Sequence, residues 1–306
     1  MRFAVSIPQF IADGQFDPAA FREYLTRAEA LGFHSAWAQE QVLGSTPVLS
    51  PIETMTYAAA CTERLRLGCA VFVTPLHGPV NLAKSLSTLD QLSRGRLEVG
   101  IGTGAEGRMF TAFGVDPKLL VSRFIEGLRL MKALWTESEV GFEGRFWQLE
   151  GGRMEPKPFQ KPHPPIWFGA NQPAALRRAV AHGDGFFGAG STTTARFAEQ
   201  VGLVRDALAE SGRDSATFQI AKRVYIVVDD NAERAREQAA ASLQRLYGPQ
   251  LGPRLLPVAV YGPPSACVEA LRDVAQAGAE LILFTPFANQ AEQMERVAAE
   301  VVPRLN

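Results

Sequence analysis

The residues with the most chemical promise in this sequence have almost no side chain. An apolar run ends at Gly169-Ala170-Asn171 and restarts at once as a helical pattern. Shortly after, Phe186-Phe187 is followed by Gly188, Ala189, Gly190, Ser191 and Thr192, and then by a second helical pattern. Small residues at a strand-to-helix turn let backbone N–H groups approach an anion, and the helix dipole favours negative charge there. Ser191 and Thr192 add hydroxyl donors. Phosphate binding is the sharp reading of both turns; an ordinary tight connection, where glycine is common, is the plain one.

Candidates for proton chemistry are few. Glu40 ends an apolar stretch and is suited to holding a ring edge or to acid–base work, or to a structural ion pair. His77 is the best placed of the four histidines; His34 and His163 read as structural or exposed, and His182 as the end of a helix. Lys222 and Arg223 are adjacent in one strand, so one of them must face inward and needs a partner, an internal ion pair or a bound ligand. Arg123 reads as the partner of a nearby acid. Trp135, Phe146, Trp147 and Phe159 read as core or interface. No pair of histidines is spaced for a metal, and no G-x-S-x-G elbow is present. Chemistry without resident nucleophiles or metal ligands points to a borrowed organic cofactor.

The elements that must position these residues alternate. "RFAVSI" is a strand, Asp17-Pro18 opens a helix, and "HSAWAQ" is a second strand, a strand–helix–strand unit that implies parallel pairing. Pro51 and Pro79 open further helices. "LRLGCAVFV", "LEVGIG", "PIWFGA", "GFFGA", "FQIAKRVYIVV" and "ELILFT" are the remaining strands. Eight such strands predict an α/β fold, a (β/α)8 TIM barrel over residues 1–306, with a doubly wound open sheet as the alternative. The site then lies at the carboxyl ends of the strands. Two insertions, about 138–165 and 246–264, break the rhythm. The first contains a hairpin and a proline-rich extended run; both are long enough to be lids or binding loops.

Of the 306 residues, 46% are hydrophobic and 21% charged, and the formal net charge is -1. That balance argues against a nucleic-acid or membrane-surface binder, whose affinity needs a basic excess. Three separated cysteines form neither a disulfide framework nor a zinc motif. No signal peptide or membrane span is evident, so a soluble cytoplasmic protein is expected.

Several longer runs carry a pattern. "VFVTPLHGPVNLAKSLSTLDQLSRGRLEVGIGTG", "LMKALWTESEVGFEGRFWQLEGGRMEPKPFQKPHPPIWFGA", "AALRRAVAHGDGF", "AEALGFHSAW" and "GPPSACVEALRDVAQAGAELILF" together resemble the bacterial luciferase-like family of flavin and deazaflavin oxidoreductases, over nearly the whole chain. The resemblance implies a (β/α)8 barrel, FMN or coenzyme F-420 as cofactor with F-420 the first choice, a small organic substrate, a homodimer, and in some members a separate reductase. It implies hydride transfer or oxygen insertion. It places the ring near Ala70, Val71, Thr103 and Gly104, with a cis Ala70–Val71 peptide, and the phosphate at Gly169, Ala170, Asn171 and Gly188 to Thr192. Glu40 and His77 are then the catalytic candidates. Two departures stand out: Gln41 occupies a place that many members give to histidine, and Ala105 one that some deazaflavin members give to glutamate, with Glu106 next. A Schiff-base barrel enzyme built on Lys222, or a flavin binder without turnover, is the alternative of another class.

Overall fold

Proline sets the start of helix after helix. In the computed structural model, which describes residues 1–11, 14–44, 46–104 and 109–305, Pro18, Pro51, Pro79, Pro173 and Pro264 each sit at the first helical position. A missing N–H costs nothing there, and the ring presets φ. The Asp17 carboxylate also accepts from the Ala19 and Ala20 N–H groups, at 2.9 and 3.1 Å. Ala105 and Glu106 lie outside the described residues.

The strands are β1 (Arg2–Ser6), β2 (Ser35–Ala38), β3 (Arg66–Val73), β4 (Leu97–Gly102), β5 (Val140–Glu143), β6 (Gln148–Gly152), β7 (Ile166–Gly169), β8 (Gly185–Gly188), β9 (Gln219–Val228), β10 (Val260–Gly262) and β11 (Leu281–Pro286). The helices are α1 (Pro18–Ala30), α2 (Pro51–Cys61), α3 (Pro79–Leu92), α4 (Met109–Ala112), α5 (Leu120–Thr136), α6 (Pro173–His182), α7 (Thr194–Ser211), α8 (Ala232–Leu255), α9 (Pro264–Gln276) and α10 (Gln290–Arg296). Strands pair in the order β9-β11-β1-β2-β3-β4-β7-β8, and β8 pairs back onto β9, so eight parallel strands close into a barrel. The open-sheet alternative is excluded by that closure. Short β10 adds to the far edge of β9, and β5 with β6 forms the expected antiparallel hairpin.

Alternation along each strand sorts the core. One set of side chains packs outward against the helices, among them Phe3, Val5, Val99, Ile101 and Phe168. The other fills the barrel, where Ala4, Trp37, Trp167, Phe187, Ala221 and Leu283 meet. Trp37 and Trp167 pack edge to face, with centroids 5.9 Å apart at 88°. Gly68 and Gly185 make this possible, because a Cβ at either would run into the indole of Trp37 or Trp167 respectively. The Ala70–Val71 peptide is cis, as the resemblance implies, and the β3–β4 register shifts between Cys69 and Phe72.

Neither insertion is the free loop that its composition suggests. Residues 246–255 continue α8 across a break at Gly248, whose φ of 78° and ψ of 172° leave the helical region. Pro249 follows, where a helix can restart without its N–H. The first insertion is fastened to the barrel's flank and amino end. Glu126 accepts from the N–H groups of Arg145, Phe146 and Trp147 at 3.0, 2.7 and 3.0 Å. Beyond the hairpin, Asp90 holds Gln160 through its N–H and its side chain, both at 2.8 Å. That proline-rich strap therefore covers no carboxyl strand end. Among the described residues no helix is long and apolar enough to cross a membrane.

Candidate cofactor and active site

Residues from four strands, with Gln39 just past β2 and Tyr247 of α8, converge on one cavity of about 260 Å³ at the carboxyl ends. Ala70 and Val71 of β3 form one wall, with Gly169 of β7 beside them. Gly188, Ala189, Gly190 and Ser191 supply the turn after β8. Gln39, Arg223, Tyr225 and Tyr247 close the remaining side. Phe187 also lines the cavity and packs edge to face on Trp37 with centroids 4.8 Å apart, so the aromatic filling of the barrel is the cavity's floor.

Seven of the residues expected at a cofactor thus share one space: Ala70, Val71, Gly169, Gly188, Ala189, Gly190 and Ser191. The glycines there have a further reason to be glycine. A Cβ on Gly169 would lie 2.9 Å from Val71 Cγ1, and one on Gly190 would lie 2.8 Å from Tyr225 Cζ. The two turns are narrow because the chain's own side chains press on them, while Ser191 at the turn stays exposed. Five expected residues do not line this cavity. Ala170 packs against the outer core. The Asn171 side chain accepts from Gln200 Nε2 at 2.7 Å. Thr192 is buried and spends its N–H on the Ala189 carbonyl at 3.1 Å. The cap of α7 is Thr193 instead, whose hydroxyl accepts from Arg196 N at 3.2 Å. Thr103 and Gly104 follow β4, where Gly104 has a φ of 76° and Thr103 Oγ1 reaches the Gly104 carbonyl at 3.4 Å.

Glu40 and His77 come together, although 36 residues separate them in the chain, because β2 and β3 are neighbours in the barrel. His77 Nε2 lies 2.8 Å from Glu40 Oε1, and Glu40 Oε2 accepts from the Val73 N–H at 2.6 Å. The Glu40 side chain is only 4% exposed. Neither residue lines the cavity. The pair braces the end of β3, just past the shifted register that presents Ala70 and Val71.

Lys222 and Arg223 part company as alternation requires. Arg223 points into the barrel, where Nη1 donates to Gln39 Oε1 at 2.8 Å and Nε to Thr285 Oγ1 at 3.0 Å. Lys222 lies behind the β8 turn, bonded to the carbonyls of Ala189 and Arg223, with its ammonium 5.8 Å from the Phe197 ring. No carboxylate pairs with either among the described residues, so the expected internal ion pair is not there. Burial, and then the Arg223 charge, bring the Lys222 ammonium down to about 7. Its position outside the cavity leaves the Schiff-base alternative without a lysine at the site. Arg123 likewise has no acid: it donates to the Pro75 carbonyl at 3.2 Å and lies 4.6 Å over the Trp147 ring.

Sequence reasoning missed Tyr225 and Tyr247. Their hydroxyls are 2.9 Å apart, and Arg223 lies 5.3 Å from the Tyr225 ring. Tyr225 alternates inward with Arg223, which the strand period alone reveals. Tyr247 stands just before the Gly248 break, in a stretch whose glycines and prolines disguise a helix. Burial raises the Tyr225 phenol, with Arg223 opposing, so it stays protonated. Among the described residues no group of three potential metal ligands assembles.

A family model described as luciferase-like monooxygenase matches residues 1–281. This chain belongs to that family. The luciferase-like chain is similar to the F420-dependent glucose-6-phosphate dehydrogenase of Kineococcus radiotolerans, with 27% identity over 95% of this chain and 94% of that enzyme. It is similar to the FMNH(2)-dependent dimethylsulfone monooxygenase of Pseudomonas putida, with 29% identity over 68% of this chain and 58% of the relative. The crystal structure of the monooxygenase RslO1 from Streptomyces bottropensis superposes with a TM-score of 0.87 at 25% identity, covering both chains fully. Family members thus include enzymes dependent on either cofactor anticipated from the sequence. The cavity of this luciferase-like barrel fits such a group in its donor set. Arg223 and Ser191 offer hydrogen bonds to acceptor oxygens, and no carboxylate lines the wall to repel them.

Proposed function

We propose that this chain is an oxidoreductase that holds a reduced flavin-type cofactor in the 260 Å³ cavity and acts on a small organic substrate, by hydride transfer or oxygenation. The observation that carries this is the meeting of the Ala70–Val71 wall with both small-residue turns in one space. Ala70, Val71 and the Trp37–Phe187 floor would hold the ring. Gly169 and the Gly188 to Ser191 turn would hold the phosphate, with Thr103 and Gly104 at the rim beyond β4. Coenzyme F-420 comes before FMN, because the F420-dependent relative matches 95% of the chain and the FMNH(2)-dependent one 68%. If FMN is used, a separate reductase would supply it reduced. A homodimer belongs to the same proposal.

When bound, the cofactor would supply the electron pair. The protein's part is then mostly placement and exclusion of water, worth many powers of ten when the reacting atoms are held in line. Glu40 and His77 serve by fixing the end of β3 rather than by touching the ring. The deciding experiment is titration of purified apoprotein with coenzyme F-420 and with FMN, followed by fluorescence. Saturable binding of one of them is expected. Binding of neither would overturn the assignment.

A further inference from the structure

A cavity that converts a carbonyl to an alcohol needs an acid, because oxygen gains a proton as carbon gains a hydride. Glu40 and His77 cannot supply it, being engaged with each other and with the Val73 N–H outside the lining. Arg223 lines the cavity but does not give up its proton. The phenols of Tyr225 and Tyr247 remain. Two hydroxyls joined by one 2.9 Å hydrogen bond carry two protons, of which that bond uses one. Tyr225 is 4% exposed, enclosed by Phe287 at 4.9 Å between centroids and by Arg223 at 5.3 Å. Tyr247 is half-buried and lines the cavity. Either hydroxyl can donate in this bond; when Tyr225 donates, Tyr247 is left to direct its own proton into the cavity.

We infer that Tyr247 is the proton donor to the substrate oxygen, oriented by Tyr225 and supported by the Arg223 charge, and that the substrate is a ketone or aldehyde. This rests on a reduced flavin-type ring occupying the same cavity. The carbonyl carbon gains the hydride that the reduced cofactor supplies. The π pair settles on oxygen, which takes the Tyr247 proton as the O–H bond of that phenol breaks. The resulting phenolate accepts the Tyr225 hydrogen bond and regains a proton from solvent. In the opposite direction an alcohol gives its O–H proton to the Tyr247 phenolate while its carbon gives up the hydride to the oxidised cofactor.

The test uses whichever cofactor the titration selects, in its reduced form, with cyclohexanone, acetophenone and benzaldehyde as probes. The wild type is expected to oxidise the cofactor with at least one probe under anaerobic conditions. Tyr247→Phe should lower kcat about 100-fold or more, the size of a lost general acid. Its cofactor Kd should stay within about threefold, since that hydroxyl is not what holds the ring. Tyr247→His, which restores a donor, should recover part of the rate, and thermal unfolding of both variants should match the wild type. Tyr225→Phe should lower kcat about tenfold, with KM little changed, as expected of a residue that orients the donor. Full turnover in Tyr247→Phe would overturn the assignment. So would a cofactor Kd that weakens in step with kcat, because the phenol would then be a cofactor contact. Cofactor binding by the wild type with no oxidation by any probe would remove the carbonyl class while leaving the cofactor assignment standing. Failure of the wild type to bind either cofactor is a separate result, seen before any variant is made.

Discussion

At the amino ends of the strands, every described buried charge is answered. Glu98 accepts from Arg66 and, at 2.6 Å, from Trp167 Nε1. Arg66 also reaches Gln160 at 3.0 Å, and Arg96 is spread over the carbonyls of Ala59, Thr62, Leu65 and Ser93. At the carboxyl ends the same barrel keeps Arg223 on two neutral partners, Gln39 and Thr285, and faces it to a cavity. Both ends hold a half-buried arginine inside one β cylinder. The difference lies in the counter-charge: a closed set serves stability, and an open one leaves attraction available to a ligand.

The sharpest way to break that contrast is Glu98→Ala. It strands Arg66 and the Trp167 indole N–H, and should cost about 3–5 kcal/mol in urea unfolding. A loss below about 1 kcal/mol would mean that the amino end is not held by this set. Gly185→Ala tests the floor between the two ends. The added methyl meets the Trp167 ring, and the expected cost is about 1–3 kcal/mol. Arg223→Met probes the open end, where stability should change by less than about 1 kcal/mol because an apolar replacement leaves no charge behind. Cofactor affinity should instead fall about tenfold or more, the worth of one hydrogen bond to a charged donor. Equal damage from Glu98→Ala and Arg223→Met in the unfolding assay would erase the distinction. The remaining effect belongs to Lys222→Met and is read as a function of pH. The Lys222 ammonium titrates near 7 in the fold against 10.5 ordinarily. Between those values the unfolded chain binds more protons, so the fold gains stability as pH rises through the window. The advantage of Lys222→Met over the wild type should therefore be greatest below pH 7 and shrink towards 10.5.

Much of the barrel was legible because proline and glycine mark its joints. Leu97–Gly102 coincides with its sequence-based bounds, and the helix Pro79–Leu92 starts where its proline predicts. The candidate site was legible where it is made of backbone: the turns after β7 and β8 announce themselves by composition, and seven of their and β3's expected residues share one cavity. It was not legible where it depends on distant side chains. Nothing in the spacing of Glu40 and His77 says that they touch; only the order of β2 and β3 in the closed sheet does. Tyr247 was hidden because Gly248, Pro249, Gly252 and Pro253 read as loop, whereas one left-handed glycine suffices to join two helical pieces. The missing ion pair at Lys222 and Arg223 could not be foreseen either, since a ligand-facing cation and a paired one share the same local sequence.

The floor beneath the cavity has a historical consequence. Trp37 fills the volume that Gly68 leaves vacant, and Trp167 does the same over Gly185. Enlarging either glycine costs stability unless the indole above it shrinks in the same step, so these positions are expected to drift as couples. Rim residues such as Tyr247 carry no such bond to a partner's size. Descendants of this barrel would thus inherit the same aromatic base while trading reactivity at its mouth one substitution at a time.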